Sequence, residues 1–125
     1  MSEESIPAGS INWRDLTVAD ADGLCDFYEQ VVGWQREPFD MGGYQDYCMK
    51  DADGTVVAGI CHAKGANEGV PPQWLPYITV TDIASSIESC KALGGKLLHG
   101  PRNAGGGDCA VIQDPRGAVV GLYQG

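Results

Sequence analysis

The sequence predicts an α+β fold made of two βαβββ modules, an internal duplication whose curved mixed sheets would form a cup with the helices on the outside. Three observations predict it. Leu16-Thr17-Val18-Ala19-Asp20 returns as Ile78-Thr79-Val80-Thr81-Asp82 at an offset of 62 residues. Asp51-Ala52-Asp53-Gly54-Thr55-Val56-Val57-Ala58 returns as Asp114-Pro115-Arg116-Gly117-Ala118-Val119-Val120-Gly121 at an offset of 63, and two matches at nearly one offset indicate repetition. Between the copies, residues 63–72 are rich in Gly, Asn and Pro, the composition of a connecting segment.

The first copy opens with a strand over Ser10 to Val18, whose alternation sets Leu16 and Val18 on one face and Trp13, Asp15 and Thr17 on the other. Asp20 is placed to cap a helix. Leu24, Phe27, Tyr28, Val31 and Val32 follow helical spacing and predict its buried face, and Gly33 closes it. Short strands follow over Trp34 to Phe39 and Tyr44 to Lys50, with Met41-Gly42-Gly43 as the turn between them. Asp51-Ala52-Asp53-Gly54 is a hairpin turn with glycine where a positive φ is needed, and Thr55 to His62 returns as a strand.

The second copy repeats the order. Trp74 to Thr81 is its first strand, Asp82 its helix cap, and Ile83, Ile87, Cys90 and Leu93 the predicted buried face of a helix ending at Gly94-Gly95. Lys96 to His99, Asp108 to Gln113 and Gly117 to Tyr123 are strands, with a glycine-rich loop over Pro101 to Gly107. The expected organisation is thus a single domain over residues 1–125, with module 1 at 10–62, a linker at 63–72 and module 2 at 73–125.

At 125 residues the chain is long enough to bury about two-thirds of the surface of its unfolded form, so it needs no covalent staple. A hydrophobic fraction of 43% and a charged fraction of 20% are those of a globular protein. Seventeen acidic residues against eight basic give a net charge of -9, which opposes nucleic acid and anionic membrane surfaces as partners. No apolar run reaches membrane-spanning length and Met1 to Ser10 lacks a secretory pattern, so a cytoplasmic location is expected. Cys25, Cys48, Cys61, Cys90 and Cys109 are odd in number and contain no C-x-x-C pair, which favours separate thiols over a disulfide framework or zinc site.

The motifs together resemble the vicinal oxygen chelate superfamily, which contains glyoxalase I, bleomycin-resistance proteins and extradiol dioxygenases. They are Leu16 to Asp20 with Phe27-Tyr28 and Gly33-Trp34, then Gly69-Val70-Pro71-Pro72, Trp74-Leu75, Tyr77, Asp82, Leu93-Gly94-Gly95-Lys96 and Asp114 to Ala118. The resemblance is nearest to the branch known as glyoxalase-related predicted enzymes. It implies paired modules around a metal, with ligands on the first and last strand of each, and it implies a homodimer, since relatives of this kind often pair. Carried onto this sequence, the ligand positions are Trp13 and Ala58 in the first copy and Leu75 and Gly121 in the second. Catalytic metals in this fold need His, Glu or Gln there, so no metal and no other cofactor is expected. Only a shifted alignment using His62 or Asp15 would restore part of such a site.

Other residues are weighed on their own chemistry. His62 has the parity of Ala58, which would turn it towards the mouth of the cup as a general base, although an idle strand-end histidine is the ordinary reading. Asp15, charged on an apolar strand, is the other weak catalytic candidate, against an ordinary bond to a neighbouring strand, Arg14 or Arg102. His99, where a strand meets a loop, is given less weight still. Cys48 and Cys109 have no histidine placed by sequence to activate them. Gly105-Gly106-Gly107 lacks the Lys-Ser/Thr and helix of a phosphate loop and fits a flexible hairpin at the entrance. The expected ligand-binding set is Trp13, Asp15, Tyr47, Ala58, His62, Trp74, Leu75, Tyr77, Gly121 and Tyr123, for a small apolar or aromatic molecule. The alternatives are a lyase, isomerase or dioxygenase, metal-dependent or using Asp15 or His62 as base, and a non-catalytic interaction module.

Overall fold

A computed structural model describes residues 6–103 and 106–125 of the chain. The elements run β1 (Ile11–Val18), α1 (Ala21–Val32), β2 (Gln35–Asp40), β3 (Gln45–Lys50) and β4 (Val56–His62), then a 3₁₀ turn over Gly65–Asn67. They continue with β5 (Trp74–Thr79), α2 (Ile83–Ala92), β6 (Lys96–Asn103), β7 (Asp108–Gln113) and β8 (Val119–Gln124). The order βαβββ therefore occurs twice.

Both copies use the same local chemistry. Asp20 accepts a hydrogen bond from Gly23 N at the start of α1, and Asp82 accepts one from Ser85 N at the start of α2, so each satisfies an amide that the helix leaves orphaned. The hairpin turns match as well. Asp51 Oδ1 accepts from the amides of Asp53 and Thr55, and Asp114 Oδ1 from those of Arg116 and Ala118, ahead of Gly54 and Gly117 at positive φ.

The chain forms two units, one of Arg14–Trp74 and one of Met1–Trp13 together with Leu75–Gly125. In the first, the strand order is β2-β3-β4-β1, with β4 and β1 parallel and the other pairs antiparallel. In the second it is β5-β8-β7-β6, with β5 and β8 parallel. The segment before Arg14 joins the second unit through Gly9 N to Thr79 O (2.7 Å) and Thr79 N to Ser10 O (2.9 Å).

Each sheet packs one face on its own helix. Ala21, Cys25, Tyr47, Met49 and Ile60 form the core of the first unit, and Ile83, Ile87, Ala110 and Leu122 that of the second. The buried phase of α1 differs from the periodicity expectation. Ala21 and Cys25 are wholly buried whereas Phe27, Val31 and Val32 are more than half exposed. Leu24 and Tyr28 are partly buried, as expected, but small residues sit where the helix comes closest to the sheet, and counting only large apolar side chains rotates the stripe too far towards Phe27 and Val31. Leu93, expected in the core, caps α2 and is 76% exposed. β6 runs on through Pro101 and Arg102, so the expected loop there is shorter, and residues 104 and 105 of it lie outside the described residues.

Candidate functional site

Register decides which side chains share a face. In the second unit Tyr77 pairs with Gly121 and Thr79 with Tyr123, while Ile78 pairs with Leu122 in the core beneath α2. Alternation therefore sets Leu75, Tyr77, Gly121 and Tyr123 together on the face turned away from α2. Leu75 and Tyr77 are buried, and Tyr123 is half-buried. A Cβ at Gly121 would overlap the ring of Tyr77, so the ring occupies the space any side chain at that position would take.

β6 adds two polar groups to this face. His99 pairs with Val111 and Arg102 with Cys109, so three steps along β6 match two along β7. Val111 and Cys109 are two residues apart and share a side, so the irregular register turns both His99 and Arg102 to the face of Tyr77. Arg102 Nη2 donates to Tyr77 Oη at 3.3 Å and its Nη1 lies 3.4 Å from His99 Nδ1. The sequence reading considered Arg102 only as a partner for Asp15 and gave His99 little weight. Regular alternation puts residues three apart on opposite faces, so the bulge was the missing signal.

In the first unit the expectations divide. Ala58 pairs with Met49, and Leu16 with Ile60, on the side packed beneath α1. His62 shares their parity, as expected, but that parity leads under the helix, and Ala58 and Tyr47 lie there too. Trp74 also packs on this core, donating from Nε1 to Tyr28 Oη at 3.0 Å and meeting Tyr28 and Trp34 edge-on. Asp15 and Thr17 lie on the opposite face, with Asp15 half-buried. Trp13, also half-buried, goes with the second unit.

His62 is held on several sides. Its amide donates to Asp46 Oδ1 at 2.8 Å and its Nδ1 contacts Gln45 O at 2.7 Å, which requires the Nδ1 proton and leaves Nε2 facing Asp22 Oδ1 at 3.8 Å. Tyr44 meets the imidazole edge-on. Tyr47 donates its hydroxyl to Asp22, and that bond to a carboxylate, with burial, pushes its pKa up to about 12. Asp22 and Asp46 were not singled out from the sequence; a buried aspartate on an apolar strand was the available clue. The group suits anchoring the end of β4 to α1 better than proton transfer, because the imidazole's side chain is only 8% exposed.

Two of the cysteines are chemically quiet. Burial raises the Cys25 thiol to about 11 and also raises that of Cys48, which disfavours the thiolate form. Among the described residues no group of three or more His, Cys, Asp or Glu side chains is gathered as a metal site requires. No helix among them is long and apolar enough to cross a membrane.

Residues 10–122 match the family model described as Glyoxalase/Bleomycin resistance protein/Dioxygenase superfamily. Curated proteins of Mycobacterium bovis and Mycobacterium tuberculosis, both named "Putative glyoxylase CFP32", are 35% identical over 119 residues, or 93% of this chain. The chain spans about half the length of these relatives, 46%. A solved variant of Streptomyces coelicolor methylmalonyl-CoA epimerase, in complex with 2-nitronate-propionyl-CoA, aligns with TM-score 0.56 at 14% identity, over 94% of this chain and 98% of that one. A hypothetical protein from Bacillus halodurans aligns with TM-score 0.57 at 13% identity, over 95% and 96% respectively. At such identities the structural likeness bears on the fold alone.

Proposed function

The chain belongs to the glyoxalase/bleomycin resistance protein/dioxygenase superfamily, and from that premise we propose that it binds a small, largely apolar or aromatic molecule without a metal ion, on the sheet face that carries Leu75, Tyr77 and Tyr123. The observation that carries this reading is the ring of Tyr77 lying over Gly121. At the position where the resemblance implies a last-strand ligand there is a buried aromatic ring and no room for a donor. Its counterparts Trp13, Ala58 and Leu75 offer no lone pair for a divalent ion either, and Ala58 and Leu75 are wholly buried. These residues do not fit the metal that the family implies.

What remains on that face is suited to recognition. Aromatic rings give a flat ligand a large contact area at little conformational cost, and a few polar groups at the edge fix its orientation. His62 and Ala58, placed beneath α1, drop out of the binding set, and Asp15, half-buried on the face turned away from α1, stays in it. We further propose that the protein works as a cytoplasmic homodimer, which sedimentation equilibrium would test.

The test is metal content by mass spectrometry on protein purified without chelator or nickel resin, with a thermal-shift screen of aromatic compounds. We expect no stoichiometric divalent metal and stabilisation by at least one aromatic class, with a ligand at a hundred times its Kd adding about 2.7 kcal/mol. Stoichiometric metal would overturn the proposal.

A further inference from the structure

We infer that the outward side of α1 is a docking face for a second copy of this chain, which presents to it the end of the second unit where α2 meets the β7–β8 turn; this rests on the homodimer proposed above. Charge divides unevenly between the units. Arg14–Trp74 holds eleven acidic residues against four basic, whereas Leu75–Gly125 holds four of each. The four cations of the first unit are engaged inside it. Arg14 donates to Val57 O, Arg36 bonds Glu29 and Asp26, Lys50 pairs with Glu37, and Lys64 lies over the ring of Tyr44. The surface of that unit is therefore left anionic.

With Ala21 and Cys25 against the sheet, the outward side of α1 carries Phe27 and Val31 one turn apart along one edge and Asp22 and Asp26 one turn apart along the other, with Gly23 and Gln30 between them. Phe27 and Val31 are 52% and 60% exposed, and both aspartates are exposed too. α1 has no basic residue of its own, so a cation brought from outside is drawn both to its acids and to the negative end of the helix dipole. The end of the second unit has the opposite character. A Cβ at Gly94 would stand 3.8 Å from Pro115 Cβ, so the exposed Leu93 at the α2 C-cap adjoins the turn that carries Arg116. Lys91 and Lys96 flank Leu93 along the chain, and all three cations are exposed. Lys91 faces Glu88 at 3.9 Å, and Asp114 Oδ1 accepts from the amides of Arg116 and Ala118, but the Lys96 and Arg116 side chains have no ion-pair partner among the described residues. An apolar side chain among cations complements apolar side chains beside acids, whereas two α1 faces opposed would set like charges together. The contact thus joins different surfaces of the two copies.

Sedimentation equilibrium tests this with two double variants. Phe27→Gln with Val31→Gln alters the α1 face, and Lys96→Glu with Arg116→Glu alters the other surface. All four residues are exposed and glutamine is a good helix former, so both variants should fold, which far-UV circular dichroism checks. Each variant alone should associate about tenfold more weakly than the wild type, the scale of one interface anchor. Mixed in equal amounts they should regain association, because each supplies the surface that the other lacks. Raising the ionic strength should weaken the wild-type dimer. A dimer that both variants keep, a mixture that regains nothing, or a wild-type dimer indifferent to salt would overturn the inference and leave the homodimer standing. A monomeric wild type would overturn both.

Discussion

Arg36 ties the end of α1 to the start of β2. Its guanidinium bonds both Glu29 oxygens, at 2.9 and 3.0 Å, and also Asp26, so two acids of one helix share one base. The bonds from Arg36 hold the Glu29 carboxyl below its usual 4.5 and raise the guanidinium further from neutrality. A carboxyl with a lowered folded pKa adds stability above its unfolded value, and that stability is lost as pH falls through the folded value. The Glu29→Gln protein should therefore be less stable than the wild type at neutral pH, and the gap should close at pH values well below 4.5. Urea midpoints measured across that range would check it; a gap independent of pH would mean that the pair contributes through packing. None of this was visible in sequence, since residues 29 and 36 are joined only by the turn at Gly33.

Elements whose cause is local were legible. Asp20, Asp82, Asp51 and Asp114 each act through amides two to four residues away, so caps and turns could be read directly and the repeat confirmed by chemistry as well as by spelling. The face of α1 was read only in part, with Tyr28 packed on the core as expected, because the sheet needs the small Ala21 and Cys25 at close approach and leaves Phe27 and Val31 outside. The bulge in β6 was also illegible, since pairing with β7 rather than the spelling of His99 to Arg102 creates it. Gly100→Ala tests that element. Strain at positive φ and the contact with Cys109 O should lower stability by about 1–3 kcal/mol, and two-dimensional NMR should show the largest shifts at His99 and Arg102. Unchanged spectra at those residues would mean that the bulge does not depend on glycine.

Across the whole molecule, each unit has its own core, and Met49 is the largest wholly buried side chain of the first. Met49→Ala should cost about 2–5 kcal/mol in chemical denaturation, with a cost near zero implying that the space collapses fully. The duplication and the helix-covered faces of β1 and β5, with Leu16, Val18 and Ile78, could be read from sequence. Assigning Ala58 and His62 to an open face could not, because alternation groups residues without saying which group the helix covers. One connection runs against the order of the chain: Gly9 and Ser10 bond Thr79, so the first residues complete the unit made from the last. On a ribosome, Arg14–Trp74 can settle as soon as it has emerged, while Gly9 and Ser10, made before it, must wait for Thr79. Residues synthesised ahead of the first unit therefore find their place after it.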